Sequence, residues 1–306
     1  MRRWSVRLGR VAFIVLFMIT APIAATAAPQ VEQLGPRLYA YISDNDGSAN
    51  STFLVGESGI LVVDTGLNRT EGEKLLREIR KLSDKPIEYI INTHYHPDHQ
   101  GANGVVGPNA IVISSPFTRE RTLALAAQIK AHATAATATG NEFAFRAATE
   151  TFTKELTIYL GDDPVEIYAA WPAHTMGDVY VYFANQRAVA CGDIFMNNAS
   201  PAMDQGSAEH WIEDLNTILT LRADHFVPGH FAVGTRETIQ RFRDYMADLY
   251  KQVEALSKEG ESEEQVRQKI QMRKYADFRQ YPKYEATFAD NAASIYRQLH
   301  SAKPAQ

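Results

Sequence analysis

The 306-residue chain has a single cysteine, Cys191, so it can close no internal disulfide, and a thiolate-rich structural metal site is excluded with it. Positive charge is also in short supply. Against 36 acidic residues stand 31 basic ones, and the net of −5 argues against nucleic acid or an anionic membrane as the main partner. Low-complexity tracts and internal repeats are missing, and a hydrophobic share of 45% with a charged share of 22% is that of a globular protein. Disorder, a collagen-like repeat and a coiled coil are thereby excluded. The one strongly apolar run, residues 11–19, is well short of the roughly 20 residues that span a bilayer.

That run fits a secretory signal instead. Arg2, Arg3, Arg7 and Arg10 precede it, Thr20, Pro22 and several alanines follow, and Ala25-Thr26-Ala27 offers the small-x-small pattern of a cleavage site. Residues 1–27 are read as a signal peptide cut after Ala27, with general and twin-arginine export both left open. The mature chain is then expected to be periplasmic or secreted and more acidic than the whole, since four arginines and no acid are removed. Its stability must come from a packed core and from metal.

From residue 31 to about residue 230, strand-like and helix-like segments alternate. Residues 38–41 and 50–55 read as a hairpin around a polar loop, and 60–63 as a buried strand ending at Asp64-Thr65-Gly66. Thr70, with Glu71 and Glu73, opens an amphipathic helix whose apolar face carries Leu75, Leu76 and Ile79. Further strands are read at 89–91, 111–114, 152–159, 165–170, 179–183, 188–191 and 226–227, and helices at 117–137 and 205–219. From Arg236 onward the pattern is helical and charged, with turns near Gly260 and Pro282; the charge run from Lys258 to Arg267 reads as a solvated helix face. This order implies a layered α/β domain over residues 28–232 and a helical C-terminal extension over 233–306 packed on it.

The chemistry concentrates in Thr93-His94-Tyr95-His96-Pro97-Asp98-His99, directly after a buried strand. Three histidines and an aspartate in six residues cannot all converge from a regular helix or strand, so an irregular loop is expected; Pro97 disfavours a helical conformation at His96. Imidazole with carboxylate suits zinc, and also manganese or iron. Later strand ends carry further pieces: Ala173-His174-Thr175-Met176-Gly177-Asp178, Cys191-Gly192-Asp193-Ile194-Phe195 and Val227-Pro228-Gly229-His230. Two cations a few ångströms apart, held by such a set, can share a water and lower its pKa toward neutrality.

In these motifs the chain resembles the metallo-β-lactamase superfamily, whose pattern is His-x-His-x-Asp-His followed by a histidine, an aspartate and a final histidine. The resemblance implies an α/β fold, a four-layer αβ/βα sandwich with the site at one edge of two sheets. It implies two Zn²⁺, with Mn or Fe as substitutes: His94, His96 and His174 on the first, Asp98, His99 and His230 on the second, and Asp193 bridging them. Asp98 is also expected to orient the nucleophilic hydroxide, and Asp64 to support the motif loop by hydrogen bonds.

An aspartate at the bridging place resembles glyoxalase II, lactonases and related esterases, where zinc β-lactamases use cysteine or serine. The histidine at position 96 separates the chain from flavo-diiron relatives, which carry glutamate there. The stretch from His210 to His230 resembles exported proteins linked to sulfur oxidation. The implied function is an exported dinuclear zinc hydrolase that cleaves an ester, thioester or lactone of a small-molecule substrate. A β-lactam hydrolase and a metal-binding accessory protein with little turnover are the alternatives, and the oligomeric state is left open. Cys191 is read as a packed residue sharing a strand face with Asp193, and His132, His210, His225 and His300 as surface or satisfied core residues. Asp178 either supports the site or caps the next strand.

Overall fold

A computed structural model of the chain describes residues 29–132, 142–170, 172–203 and 205–301. The signal segment and its cleavage site at Ala27, the last residues of the 117–137 helix, and Trp171, which flanks His174 in sequence, lie outside these. Among the described residues no helix is long and apolar enough to cross a membrane.

Runs of β-branched and aromatic residues build two sheets. The first is a seven-stranded sheet in sequence order: β1 (Gln30–Gln33), β2 (Leu38–Ile42), β3 (Ser51–Val55), β4 (Ile60–Val63), β5 (Ile87–Ile91), β6 (Ile111–Ser114) and β7 (Glu150–Thr151). It is antiparallel through β4 and parallel from β4 to β7. The second holds β8 (Glu155–Leu160), β9 (Asp163–Ala169), β10 (Val179–Phe183), β11 (Ala188–Gly192) and β12 (His225–Pro228), with β12 parallel to β11 at one edge. Their fully buried strands, β4, β10 and β11, read as continuous apolar runs because both faces are covered.

Three apolar layers result. Leu38, Leu54, Leu61, Val63 and Ile91 of the first sheet meet Val165, Ile167, Val179 and Val181 of the second. The outer face of the first sheet packs on α1 (Arg69–Leu82) and α3 (Asn103–Val106) through Leu75, Ile79 and Val106, with Ala102 between α3 and the one-turn helix α2 (Pro97–Gln100). Helix α1 forms as its sequence requires. Asn68 caps it by accepting from the Glu71 N–H, a bond worth about 1 kcal/mol, and Leu75 and Ile79 each contribute roughly 1.5–3 kcal/mol by burial. The helix α4 (Pro116–His132) buries only Thr118 and Thr122.

The outer face of the second sheet is covered by α5 (Ala208–Ile218), α6 (Arg236–Lys258), α7 (Glu263–Lys269) and α8 (Phe288–His300). Trp211 and Leu215 of α5 share one core with Phe242, Tyr245 and Leu249 of α6 and Ile295 of α8. The layers thus run helix, sheet, sheet, helix, with the C-terminal helices completing the fourth.

Two expectations change. The Lys258–Arg267 charge run is not one helix face: α6 ends at Lys258, Gly260 takes φ +85°, and Ser262 with Gln265 forms the capping box of α7. Between α7 and α8 the chain makes two short 3-10 turns: Pro282–Tyr284 falls where a turn was expected, and Arg273–Tyr275 falls where a helix was.

Candidate metal centre

The candidate site lies where β4, β5, β11 and β12 end. Strand β4 hands over to Asp64, which takes a left-handed conformation at φ +56°, available to aspartate at modest cost. That turn aims its carboxylate at the loop after β5. Asp64 accepts from the Thr93 N–H at 2.9 Å and from the Thr93 hydroxyl at 2.7 Å, and its Oδ2 lies 2.7 Å from His99 Nδ1. With Nδ1 so engaged, His99 turns its Nε2 inward.

The loop itself differs in part from the irregular segment expected. His96 is extended, but Pro97 starts the one-turn helix α2, whose residues include Asp98 and His99. Proline suits a first helical position because its absent N–H would have no partner there. Asp98 and His99 come from this turn, while His94 and His96 come from the irregular, bent stretch before it, as expected. The buried Gln100 side chain, bonded to the Tyr95 carbonyl and the Thr122 hydroxyl, fastens α2 to α4.

Seven side chains converge in two groups. His94, His96, His174 and Asp193 offer donor atoms within 4.8 Å of one another, as do Asp98, His99 and His230. His96 Nδ1 lies 3.0 Å from His94 Nε2 and 3.2 Å from His174 Nε2. Asp193 stands between the groups: its Oδ2 is 3.4 Å from His174 Nε2 and 4.0 Å from His94 Nε2, and its Oδ1 is 3.3 Å from His99 Nε2 and 3.8 Å from His230 Nε2. Asp98 Oδ2 reaches His230 Nε2 at 3.1 Å. The His174 ring is oriented by its Nδ1, 2.9 Å from the Ala202 carbonyl.

Burial and charge pull these groups apart. Burial, with His99 and His96 adding to it, holds His94 well below the usual imidazole range, and burial sets His174 at about 4. For His99 burial acts the same way, but Asp193, Asp98 and Asp64 outweigh it and push the imidazole up. The Asp193 carboxyl is held well down against its burial by His99 and His230. The donor set fits a pair of divalent ions on a structural test. His99 Nε2 and Asp193 Oδ1 are fully buried and 3.3 Å apart, at ion-pair distance but without an aligned hydrogen bond, a state that an ion bound between the two groups would relieve.

Glycines clear the ground. Gly192 adopts φ +51°, and a Cβ at Gly229 would come within 1.9 Å of Asp193 Oδ1. The left-handed Gly192, at a register shift in the β11–β12 pairing, ends the strand alternation before Asp193. Cys191 and Asp193 therefore do not share a face: the thiol packs with Tyr180 and Trp211, and burial pushes it up.

Asp178 holds the His174 turn, accepting from the Thr175 N–H at 2.6 Å and hydroxyl at 2.7 Å, and burial raises its carboxyl to about 7. His132, His210 and His300 are exposed and distant from these groups, and His225 is half-buried on β12. Two contributors were not singled out in the sequence. Thr93 ties Asp64 to the loop, and Asn50 donates to the Pro228 carbonyl at 3.0 Å and the Phe231 carbonyl at 2.7 Å, fixing the turn that carries His230. A threonine beside a motif histidine and an asparagine opening a strand carry no distinctive spacing.

A profile described as the metallo-beta-lactamase superfamily matches residues 44–230, from the loop before β3 through the last site histidine. The chain belongs to this superfamily. A linear primary-alkylsulfatase of Pseudomonas sp. (strain ATCC 19151) is 53% identical over 47 residues, 15% of this chain and 8% of that one. The 2,4-dinitroanisole O-demethylase subunit alpha of Nocardioides sp. (strain JS1661) is 26% identical over 189 residues, 61% and 53% of the two chains. The stereoselective inverting sec-alkylsulfatase Pisa1 from Pseudomonas sp. superposes with a TM-score of 0.69 at 17% identity, over 89% of this chain and 50% of that one. This superfamily chain spans about half the length, or less, of these relatives, and the superposition speaks for the fold alone. Members of the superfamily with this fold are hydrolases.

Proposed function

We propose that the mature chain is an exported, dinuclear zinc hydrolase of ester-type bonds, thioesters and lactones included. The observation that carries this is Asp193, whose two oxygens face two separate histidine groups while Oδ1 and the opposed His99 Nε2 stay unsatisfied. His94, His96 and His174 would hold one ion and Asp98, His99 and His230 the other, with Asp193 between them. Bound there, zinc-class ions supply Lewis acidity and a water acidic enough to serve as nucleophile near neutral pH.

The chain's own residues do the rest. Asp98, exposed on one side to the site and 3.1 Å from His230, is placed to accept the proton of the attacking water and orient its lone pair. Asp64 and the Ala202 carbonyl fix the rings of His99 and His174 and make them better donors. The 47-residue match to a linear primary-alkylsulfatase supports ester cleavage, an alkyl sulfate being an ester. Export rests on the segment before Ala27, and manganese or iron would suit the same donors.

Elemental analysis of the metal-replete mature protein tests this reading. About two zinc-class ions per chain are expected, with loss of esterase activity on chelation and recovery on zinc addition. Metal-replete protein that carries no transition metal, or turnover unchanged after its removal, overturns it.

A further inference from the structure

The turn that delivers His230 does more than present a ligand. Phe231, the next residue, sits at φ +74°, a conformation a bulky side chain takes only when its surroundings impose it. Three elements impose it here. Asn50 binds its carbonyl at 2.7 Å. Tyr281 of the C-terminal extension stacks on its ring, with centres 5.8 Å apart and planes at 11°. Arg279 lays its guanidinium over the ring, Cζ at 5.2 Å from the centre. The Phe231 ring in turn lies 6.2 Å from that of His230.

Arg279 is held by its backbone. Its N–H donates to the Asn198 carbonyl at 3.0 Å and its carbonyl accepts from the Ser200 N–H at 2.8 Å, which pins it to the loop that follows Asp193. Its side chain is not neutralised. Three other arginines of the extension are paired with carboxylates: Arg241 with Asp277, Arg267 with Asp290, Arg297 with Glu263. Arg279 is exposed, and among the described residues it has no carboxylate partner and donates no side-chain hydrogen bond. A fixed, unpaired, planar cation beside the mouth of a site, on a chain with net charge −5, is an anion receptor by its chemistry.

We infer that the substrate carries an oxyanionic group, a carboxylate or sulfate, and that Arg279 on its Phe231 platform receives it while the scissile bond lies over Asp193. This rests on the hydrolase reading of the site but is tested without turnover. Arg121 provides an internal control. It also lies over an aromatic next to a site histidine, with Cζ 5.2 Å from the Tyr95 ring and that ring 4.7 Å from His96, but it stands on α4 without a comparable backbone clamp or strained platform.

The test is calorimetric titration of the full metal-replete chain with hexanesulfonate and with hexanoate, neither of which is hydrolysable, and with uncharged hexanol. The wild type is expected to favour the anions over hexanol by at least about tenfold, and Arg279→Ala to lose about tenfold in anion affinity. Arg279→Lys should recover part of the loss, and Arg121→Ala should retain wild-type affinity. Melting temperature and metal content should stay unchanged in Arg279→Ala. Loss confined to one anion identifies the group recognised. Anion affinity equal in Arg279→Ala and wild type, no anion preference in the wild type, or a loss that falls on Arg121→Ala instead overturns the inference. A chain that binds the anions through Arg279 yet cleaves no ester refutes the hydrolase reading and leaves the receptor standing.

Discussion

His99 sits between two carboxylates, with Asp64 2.7 Å from its Nδ1 and Asp193 3.3 Å from its Nε2. Asp64 has its oxygens occupied by the Thr93 amide, the Thr93 hydroxyl and His99, so nothing remains for an ion. Asp193 has Oδ1 buried and unpartnered. Two substitutions should therefore separate. Asp193→Ala is expected to weaken the paired site, bringing bound metal below two ions and activity down with it. Asp64→Ala is expected to keep two ions in metal-replete buffer, at an affinity about 10- to 100-fold lower, and to cost about 3 kcal/mol of stability as a buried charge-assisted network is broken. Elemental analysis beside urea unfolding of each variant measures both. Metal loss in Asp64→Ala with two ions and full rate in Asp193→Ala would reverse the assignment. At this scale much of the site was legible, because three of the chain's nine histidines and an aspartate are packed into six positions. The role of Thr93 was not, since a hydroxyl's partner depends on Asp64, distant in sequence and turned by a positive φ.

The C-terminal helices show what charge conceals. Read from residue 236 onward, the sequence is rich in Lys, Arg, Asp and Glu, yet Ile239, Phe242, Tyr245, Met246, Leu249 and Val253 of α6 recur at three- and four-residue spacing and are fully buried. Tyr245 is the centre of this layer, with Tyr275, Phe278 and Phe288 rings all between 5.3 and 5.4 Å away. Its hydroxyl meets Ser200 Oγ at 3.1 Å and accepts from the Asn291 amide at 3.0 Å, and Asn291 Oδ1 is left without a partner. Opposite costs follow for two residues of one network. Tyr245→Ala removes a large buried ring and should destabilise by about 3–5 kcal/mol. Asn291→Leu leaves Ser200 and Tyr245 to bond each other and removes an orphaned oxygen, so its cost should stay below about 1.5 kcal/mol. Urea midpoints at unchanged slope give both values, and an Asn291→Leu loss as large as that of Tyr245→Ala would mean the polar network carries the layer. Of the irregular stretch between α7 and α8 only the turn at Pro282 was legible; the rest uses tertiary partners, such as the bridge between Ala199 and Arg279, that no local pattern announces.

For the whole molecule, two sheets meet at one edge and bring His94, His96, Asp98, His99, His174, Asp193 and His230 into two adjoining groups, with Asp64 behind them. The order of strands and helices in the sequence supports a layered α/β domain. The pairing of β12 parallel to β11, which places His230 against Asp193, is a long-range choice visible only in the folded chain. That juxtaposition bears on substrate class. Asp193 offers hard oxygen donors to both histidine groups, and Asp98 is the carboxylate nearest the solvent side of the site, where a proton from water can be received. Such an arrangement suits attack on an acyl or related centre whose leaving oxygen needs little proton assistance. A β-lactam expels an amine nitrogen, which must be protonated or otherwise stabilised as it departs. A proton taken up by Asp98 from the water would have to be passed on to that nitrogen, a second transfer that a departing ester or lactone oxygen does not require. We therefore expect kcat/KM for simple esters or lactones to exceed that for β-lactams by at least about tenfold in one zinc-loaded preparation, a ratio that reports the difference in transition-state binding directly. A β-lactam advantage of that size would place proton delivery to nitrogen within the site's reach and make the amide the substrate bond.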